Sequence, residues 1–292
     1  MPVARERIAL VFEKLERAFS QLSSRQTPVS VHNFRTSARR VQTLSEELLP
    51  ERDRNQKKLV KLLTRLRKRA GRIRDLDAQL AALRSLKVSQ EPRRKTQLMQ
   101  ALIDLRAEHE KKLRKALTKE TVRELRKRLR RAGKDFRLEQ IGDPLRIAQK
   151  MLSQAATPRG PLTEEMLHSR RILIKRARYV AEFASKSPET DRLMEQLKHA
   201  QDALGDWHDW FMLTETSWQR LGDVHQSPLV AVLHNVTGAK FRKAVSALTS
   251  NRPPAAPEKI AAVGKTKKMA TNQADSDTSG SDISLVAITS AA

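Results

Sequence analysis

The chain has 292 residues, enough for one large domain or two of ordinary size, and its 58 Lys and Arg outnumber 33 Asp and Glu to leave a formal net charge of +25. A charge so one-sided repels itself in a compact fold and calls for a strongly negative partner: nucleic acid, an anionic membrane surface or a phosphate polymer. The lack of Cys excludes disulfides and thiolate metal sites, and three Trp with one Tyr are too few for the base-stacking platforms of single-strand and RNA binders.

The first segment, MPVARERIALVFEKLERAF, contains acids and no apolar h-region, so it is read as a helix over about 3–23 and not as a signal peptide. Thr27-Pro28 puts a capping hydroxyl before a Pro suited to a first helical turn and opens a helix over 28–48. Helices are expected next at 52–70, at 73–86 and, with a break, at 93–131. A further set is expected at 143–156, 163–186 (Thr163 as cap), 188–204 (opened by Ser187-Pro188), 207–221 and 227–248. These stretches are rich in Leu, Ala, Arg, Lys, Glu and Gln, and no run of alternating β-branched residues suggests a sheet, so the fold class is all-α. No stretch approaches 18 uncharged apolar residues, so no span is expected and a cytoplasmic, reducing compartment fits. Beyond about residue 250 large apolar residues become scarce and charges nearly cancel; residues 251–292 are expected to be a disordered tail, leaving the charge on residues 1–250.

A repeated pattern organises those 250 residues. His32, Arg35, Arg39 and Arg40 in VHNFRTSARR have the spacing of His168, Arg171, Lys175 and Arg176 in LHSRRILIKRARY, where Arg178 is added. A weaker match trails each motif, Gly71-Arg72-Ile73-Arg74-Asp75 in one half and Gly205-Asp206-Trp207-His208-Asp209 in the other. Two matches in the same order point to duplication of a helical unit, with halves of about 1–135 and 143–250. On a helix His32, Arg35, Arg39 and Gln42 form one stripe, and Phe34, Ala38, Val41, Leu44 and Leu48 form another roughly 200° away at ~100° per residue. His168, Arg171, Lys175 and Arg178 face away from Leu173, Ala177, Val180 and Ala184 in the same manner. Neither cationic stripe contains an acid. Exposed helices ordinarily interleave Glu with Lys four residues apart, so an external anion accounts for these ladders better than a solvated face does.

HNFRTSARR, IRDLD, HSRRILIKRARY and ALGDWHD resemble the CHAD family, the conserved histidine α-helical domain, over about residues 5–248. The resemblance implies two pseudo-symmetric helical bundles, a basic surface or channel, and binding of inorganic polyphosphate. By motif position it implies ligand-facing roles for His32, Arg35, Arg39 and Arg40, and for His168, Arg171, Lys175, Arg176 and Arg178. Gln42 stands where the second half has Arg178, which implies a weaker grip in the first half. No alternating-Glu triphosphate-processing domain is evident beside it.

Weaker candidates lie on neighbouring helices. Lys58, Lys61, Arg65, Lys68 and Arg72 form a stripe beside Leu59, Leu62 and Leu66, and Lys198 is the second-half counterpart of Arg65. Residues 111–137 hold thirteen basic residues against three acids but lie in no motif, and are expected to add long-range attraction only. Asp75, Asp77, Asp206 and Asp209 are read as helix-start caps and partners of motif Arg residues, not as catalytic acids. The expected function is non-catalytic polyphosphate binding, at polyphosphate granules by extension, with no cofactor and no metal. Two alternatives remain. One is a metal-dependent phosphohydrolase built on His32, His168 and Asp75 or Asp209, although no HExxH or P-loop motif is present; the other is a non-specific DNA- or RNA-binding protein.

Overall fold

A computed structural model describes residues 5–49, 51–88, 91–134, 141–157, 160–222, 224–225 and 227–250; the tail expected over 251–292 lies outside them. Among the described residues all regular structure is helical: α1 (Arg5–Ser24), α2 (Pro28–Thr43), α3 (Arg54–Ser85), α4 (Pro92–Ala116), α5 (Lys119–Lys134), α6 (Pro144–Ala156), α7 (Glu164–Ala181), α8 (Pro188–Leu221) and α9 (Pro228–Thr249). None of these helices is long and apolar enough to cross a membrane.

The caps follow from local chemistry. The Thr27 hydroxyl accepts from the Ser30 N–H at 3.1 Å, and Ser187 accepts from Thr190 N–H at 3.1 Å. Asp53 and Gln56 complete a capping box at the start of α3, and Asp143 caps α6. The end of α2 passes directly into a single π-helical turn, Leu44–Leu48, so helical backbone runs to the expected residue 48. α7 stops five residues before the expected 186. Its last turn tightens, with Phe183 N–H on Val180 O and Ala184 N–H on Ala181 O, because Phe183 turns into the core. The other departures are at Gly71 and Gly205. Breaks were expected near both, yet α3 and α8 run through them as continuous helices of 32 and 34 residues. Helix propensity alone costs about 1 kcal/mol at each Gly, too little to stop helices anchored by Leu59, Leu66, Leu76 and Leu83 on one side and Leu193, Leu197 and Leu204 on the other. Consequently Asp75, Asp77, Asp206 and Asp209 lie mid-helix and cap nothing.

Packing neighbours recur in order. α1, α2, α3 and α4 follow one another as neighbours, as do α6, α7, α8 and α9, while α2 packs on α7 and α3 on α8. One apolar core takes in both halves, from Leu15, Phe19 and Phe34 to Val180, Leu204 and Trp207. A smaller cluster joins the far ends of α3, α4, α8 and α9 through Leu83, Leu102, Leu213 and Leu233. Polar ties cross between the halves as well. Arg7 donates to Ala184 O at 2.6 Å, and the Glu91 carboxylate accepts from Leu229 N–H (3.0 Å) and the Ser227 hydroxyl (2.8 Å), holding the start of α9.

Phe34 shows how burial on one face aims the other. It has no exposed surface, its ring lies 5.8 Å from that of Phe19, and it sits next to Arg35 in the chain. Phe34→Ala should cost about 3–5 kcal/mol in urea unfolding, the range for losing a buried aromatic side chain.

Candidate anion-binding cleft

The cationic faces of α2, α3 and α7 converge with a face of α8 that carries Asp202, Asp206, His208 and Asp209. These four helices form a ring of neighbours, α2 on α3, α3 on α8, α8 on α7 and α7 on α2. Between them lies a cleft of about 900 Å³. It is lined by matched positions: His32 and His168, Arg35 and Arg171, and Arg39 and Lys175 on α2 and α7. The long helices add Gly71 with Gly205, Arg74 with His208 and Asp75 with Asp209. Arg178 and Arg40 also line it, so eight of the nine main candidates meet in one place.

The ninth, Arg176, does not line the cleft. Its Nε donates to Glu47 Oε1 at 2.8 Å, and its Nη2 bonds the same oxygen. Arg40, at the same motif position in the first half, makes the reciprocal pair: Nε to Glu182 Oε2 at 2.5 Å and Nη2 to Glu182 Oε1 at 3.2 Å. Hydrogen bonding to Glu182 raises the Arg40 pKa, and its guanidinium lies 5.7 Å from the Tyr179 ring centre. Both residues therefore clamp one half to the other, and only Arg40 reaches the rim of the cleft while doing so. The weaker candidates Lys58, Lys61, Arg65 and Lys198 are exposed but do not line the cleft; each lies nearer the start of its long helix than the stretch that does. Lys68 and Arg72, from the same stripe, do line it.

Two lining cations escaped sequence reasoning, Arg67 and, beyond its mention inside a motif, Arg74. The signal was present in the α3 stripe Arg67, Gly71, Arg74 and Ala78, one turn apart on one face and anchored on the motif Gly. Gly71 has a structural reason. A Cβ there would collide with Nη1 of Arg35, so the bare backbone lets that guanidinium lie against α3, and Arg35 comes within 3.8 Å of Asp75. Gly205 faces open space. The Gln42 expectation is overturned. Gln42 is 1% exposed, donates to Thr64 Oγ1 at 2.5 Å and accepts from Arg67 Nε at 2.6 Å. It holds Arg67 in place and does not face the cleft. Nor is the first half the poorer in charge: α3 contributes Arg67, Lys68, Arg72 and Arg74 where α8 contributes Gln201, Asp202, Asp206 and His208.

Crowding shapes the electrostatics. Burial, then Arg171 and Arg35, push Lys175 down to about 7; burial, then Arg39 and Arg35, push Arg67 down to about 10. Arg39 and Arg171 are lowered chiefly by burial. His32 and His168 fall below the usual imidazole value through burial first and adjacent cations second. His208, 7% exposed and with its ring centre 5.2 Å from that of His168 in a tilted arrangement, falls to about 3 for the same reasons, so it is neutral at ordinary pH. Burial raises Asp209 despite Arg171 and Arg74 nearby. The Nε atoms of Arg171 and Arg178 are buried donors without an acceptor among the described residues. Buried donors are nearly always satisfied in folded proteins, so these two are open to an acceptor in the cleft. Five carboxylates line the cleft as well, Asp75, Glu182, Asp202, Asp206 and Asp209; Asp206 pairs with Lys240 at 2.8 Å, and Asp77, outside the lining, pairs with Arg106 at 2.7 Å. Among the described residues no three His, Asp or Glu side chains gather into a group that could hold a metal ion.

An all-helical protein with a cation-lined cleft between paired helices is the class that fold and site define. Residues 6–217 match the family model of the CHAD domain, and the chain belongs to that family. Its fold is similar to the crystal structure of the CHAD domain from the plant Ricinus communis, with a TM-score of 0.61 and 18% identity over 86% of this chain and 92% of that one. It is also similar to PptA from Streptomyces chartreusis, with a TM-score of 0.60 and 17% identity over 86% of this chain and 98% of that one. At such identities the likeness is one of fold. No curated protein matches the chain.

Two outcomes follow from the geometry. Gln42→Arg would bury a second guanidinium against Arg67, and should lower stability in urea by on the order of 3 kcal/mol. Lys175 gives the second. Its folded pKa of about 7 lies below 10.5, so between those values the unfolded chain binds more protons. Without added anion, stability should therefore rise as pH climbs from about 7 towards 10.5, and be flat in this respect below 7. Lys175→Met should flatten the rise in a pH series of urea denaturations.

Proposed function

We propose that this chain binds inorganic polyphosphate in the cleft and catalyses no reaction on it. The observation that carries the reading is a set of half-buried cations that no carboxylate pairs with directly. Arg39, Arg171, Lys175 and Arg178 make no ion pair among the described residues, and two of them hold orphaned Nε donors. A guanidinium can grip two phosphate oxygens at once, while a Lys supplies a point charge. From His32 to Arg39 the α2 ladder extends about 11 Å at the helical rise, which suits a repeating anion better than one small phosphate ester. The neutral imidazoles of His32, His168 and His208 suit hydrogen bonding, and an arriving anion restores the charge of Lys175. Membership of the CHAD family supports the choice of polymer. The aromatic-poor lining, with Tyr179 as its one Phe, Tyr or Trp, disfavours base stacking and hence the nucleic-acid alternative. The phosphohydrolase alternative draws on Asp75 and Asp209, but both carboxylates sit among cations, Asp75 3.8 Å from Arg35 and Asp209 beside Arg171, Arg74 and Lys175, which disfavours a metal ion there. A cytoplasmic setting, at polyphosphate granules, is the corresponding proposal for location.

Isotherms with polyphosphate of defined lengths, run beside DNA, RNA and triphosphate at near-physiological salt, test this reading. Long polyphosphate should bind most tightly and displace DNA at equal phosphate concentration. Arg35→Ala/Arg39→Ala and Arg171→Ala/Lys175→Ala should each weaken polyphosphate binding at least about tenfold, given ~1.5–3 kcal/mol per charge-assisted contact. Neither double should lower the thermal midpoint appreciably, because each removes like-charge repulsion. Equal affinity for DNA, or wild-type affinity in both doubles, would sink the proposal.

A further inference from the structure

The fifth helix stands outside the recurring order of neighbours. α5 packs on α1 and α3, and no helix of the second half takes the matching place. Its sequence, KETVRELRKRLRRAGK, buries Leu125, Leu129 and Ala132. Beside α1 and the α4–α5 junction its cations border a groove of about 680 Å³, quite separate in its lining from the cleft. The groove carries six cations and no acid.

Four of these cations, Lys119, Arg123, Lys127 and Arg131, are exposed and make no ion pair among the described residues. The other two are tied to α1: Arg126 donates to Ser20 Oγ at 3.0 Å and Arg130 lies 3.5 Å from Glu16. Glu120 is turned to the helix start, where its own backbone N–H, then the Thr118 side chain and more weakly Arg123, hold its pKa low. Such a face on a solvated helix needs an external anion, as the ladders of α2 and α7 do. What differs is the floor. Leu117 and Val122, both half-buried against the core, lie between the cations.

That floor selects among anions. A bare phosphate chain has nothing to set on Leu117 and Val122, and neither has the phosphate backbone of a nucleic acid, through which sequence-independent binding runs. A peptide with carboxylates and an apolar side chain satisfies both rim and floor, the arrangement of an apolar centre with a polar rim that protein interfaces use. We propose that the α1–α5 groove docks an acidic segment of a partner protein, with its carboxylates on Lys119, Arg123, Lys127 and Arg131 and an apolar side chain on Leu117 and Val122. The cleft and the groove then serve different ligands.

The test uses the full chain and a fluorescein-labelled synthetic peptide of repeating Glu-Glu-Leu, followed by fluorescence anisotropy. Binding should be saturable, and Arg123→Glu/Lys127→Glu should weaken it about tenfold or more by reversing two rim charges. Arg35→Ala/Arg39→Ala should leave it unchanged. A Glu-Glu-Ser peptide of equal length and charge should bind at least about fivefold more weakly, since it cannot bury an apolar side chain. The exposed positions of Arg123 and Lys127 allow their variant to keep the wild-type thermal midpoint, checked by circular dichroism. Failure of the Glu-Glu-Leu peptide to bind, equal binding of both peptides, or loss of binding in the cleft double each overturns the proposal. So does a DNA duplex or a long polyphosphate that loses affinity in the α5 variant while the peptide does not, which would assign the groove to nucleic acid or to a second lane of the polymer.

Discussion

Bringing the cationic faces of three helices to one cleft is electrostatically unfavourable, and everything else in the fold is arranged around that repulsion. At an effective dielectric of 20, two like charges 4–8 Å apart repel by about 2–4 kcal/mol. Offsetting this takes the opposite faces of the same helices, where each fully buried Leu, Val, Ile or Phe contributes about 1.5–3 kcal/mol. Phe34, Val41, Leu66 and Ile73 stand behind the first-half cations, and Ile174, Val180, Leu204 and Trp207 behind those of the second. The core thus forces together side chains that would otherwise separate. Depressed values at Lys175 and Arg67 record burial first and this repulsion second.

The reciprocal clamps act on the same problem. Arg40 with Glu182 and Arg176 with Glu47 tie α2 to the end of α7, and α7 to the π turn that follows α2. Each places a carboxylate from one half against a guanidinium from the other, as a two-fold-related pair of surfaces does. A cation at the eighth position after the motif His is therefore spent on joining the walls. Those at the third and seventh positions are left for the space between them.

How far all this is legible in the sequence depends on whether it is local. Caps at Thr27, Thr163 and Ser187 and the opposed stripes of α2 and α7 rest on residues within a turn or two of one another, and the pattern of types reveals them. Gly71 reads as a helix breaker from composition, because the reason for its presence is Arg35 on another helix. Gln42 reads as a missing Arg because position ten of the motif is occupied by Arg178 in the second half. Only the placement of α3 shows that the amide anchors Arg67 instead. Asp75 and Asp209 read as caps because the long helices were expected to begin beside them. In each case the missing information is which helix packs opposite.

The two halves are consequently alike in scaffold and unlike in charge. Matched positions on α3 and α8 line the same cleft, yet Lys68 and Arg72 face Asp202 and Asp206 in that correspondence, and Arg74 faces a His208 that burial keeps neutral. Asp209 on α8 and Asp75 at the matched place on α3 both favour the charged forms of Arg171 and Lys175. A fully symmetric cleft would add the cations of a second α3 to walls whose Lys175 already titrates near 7. Seven lining cations lie on α2 and α3 and three on α7, so the positive charge of the cleft is concentrated on the first-half side.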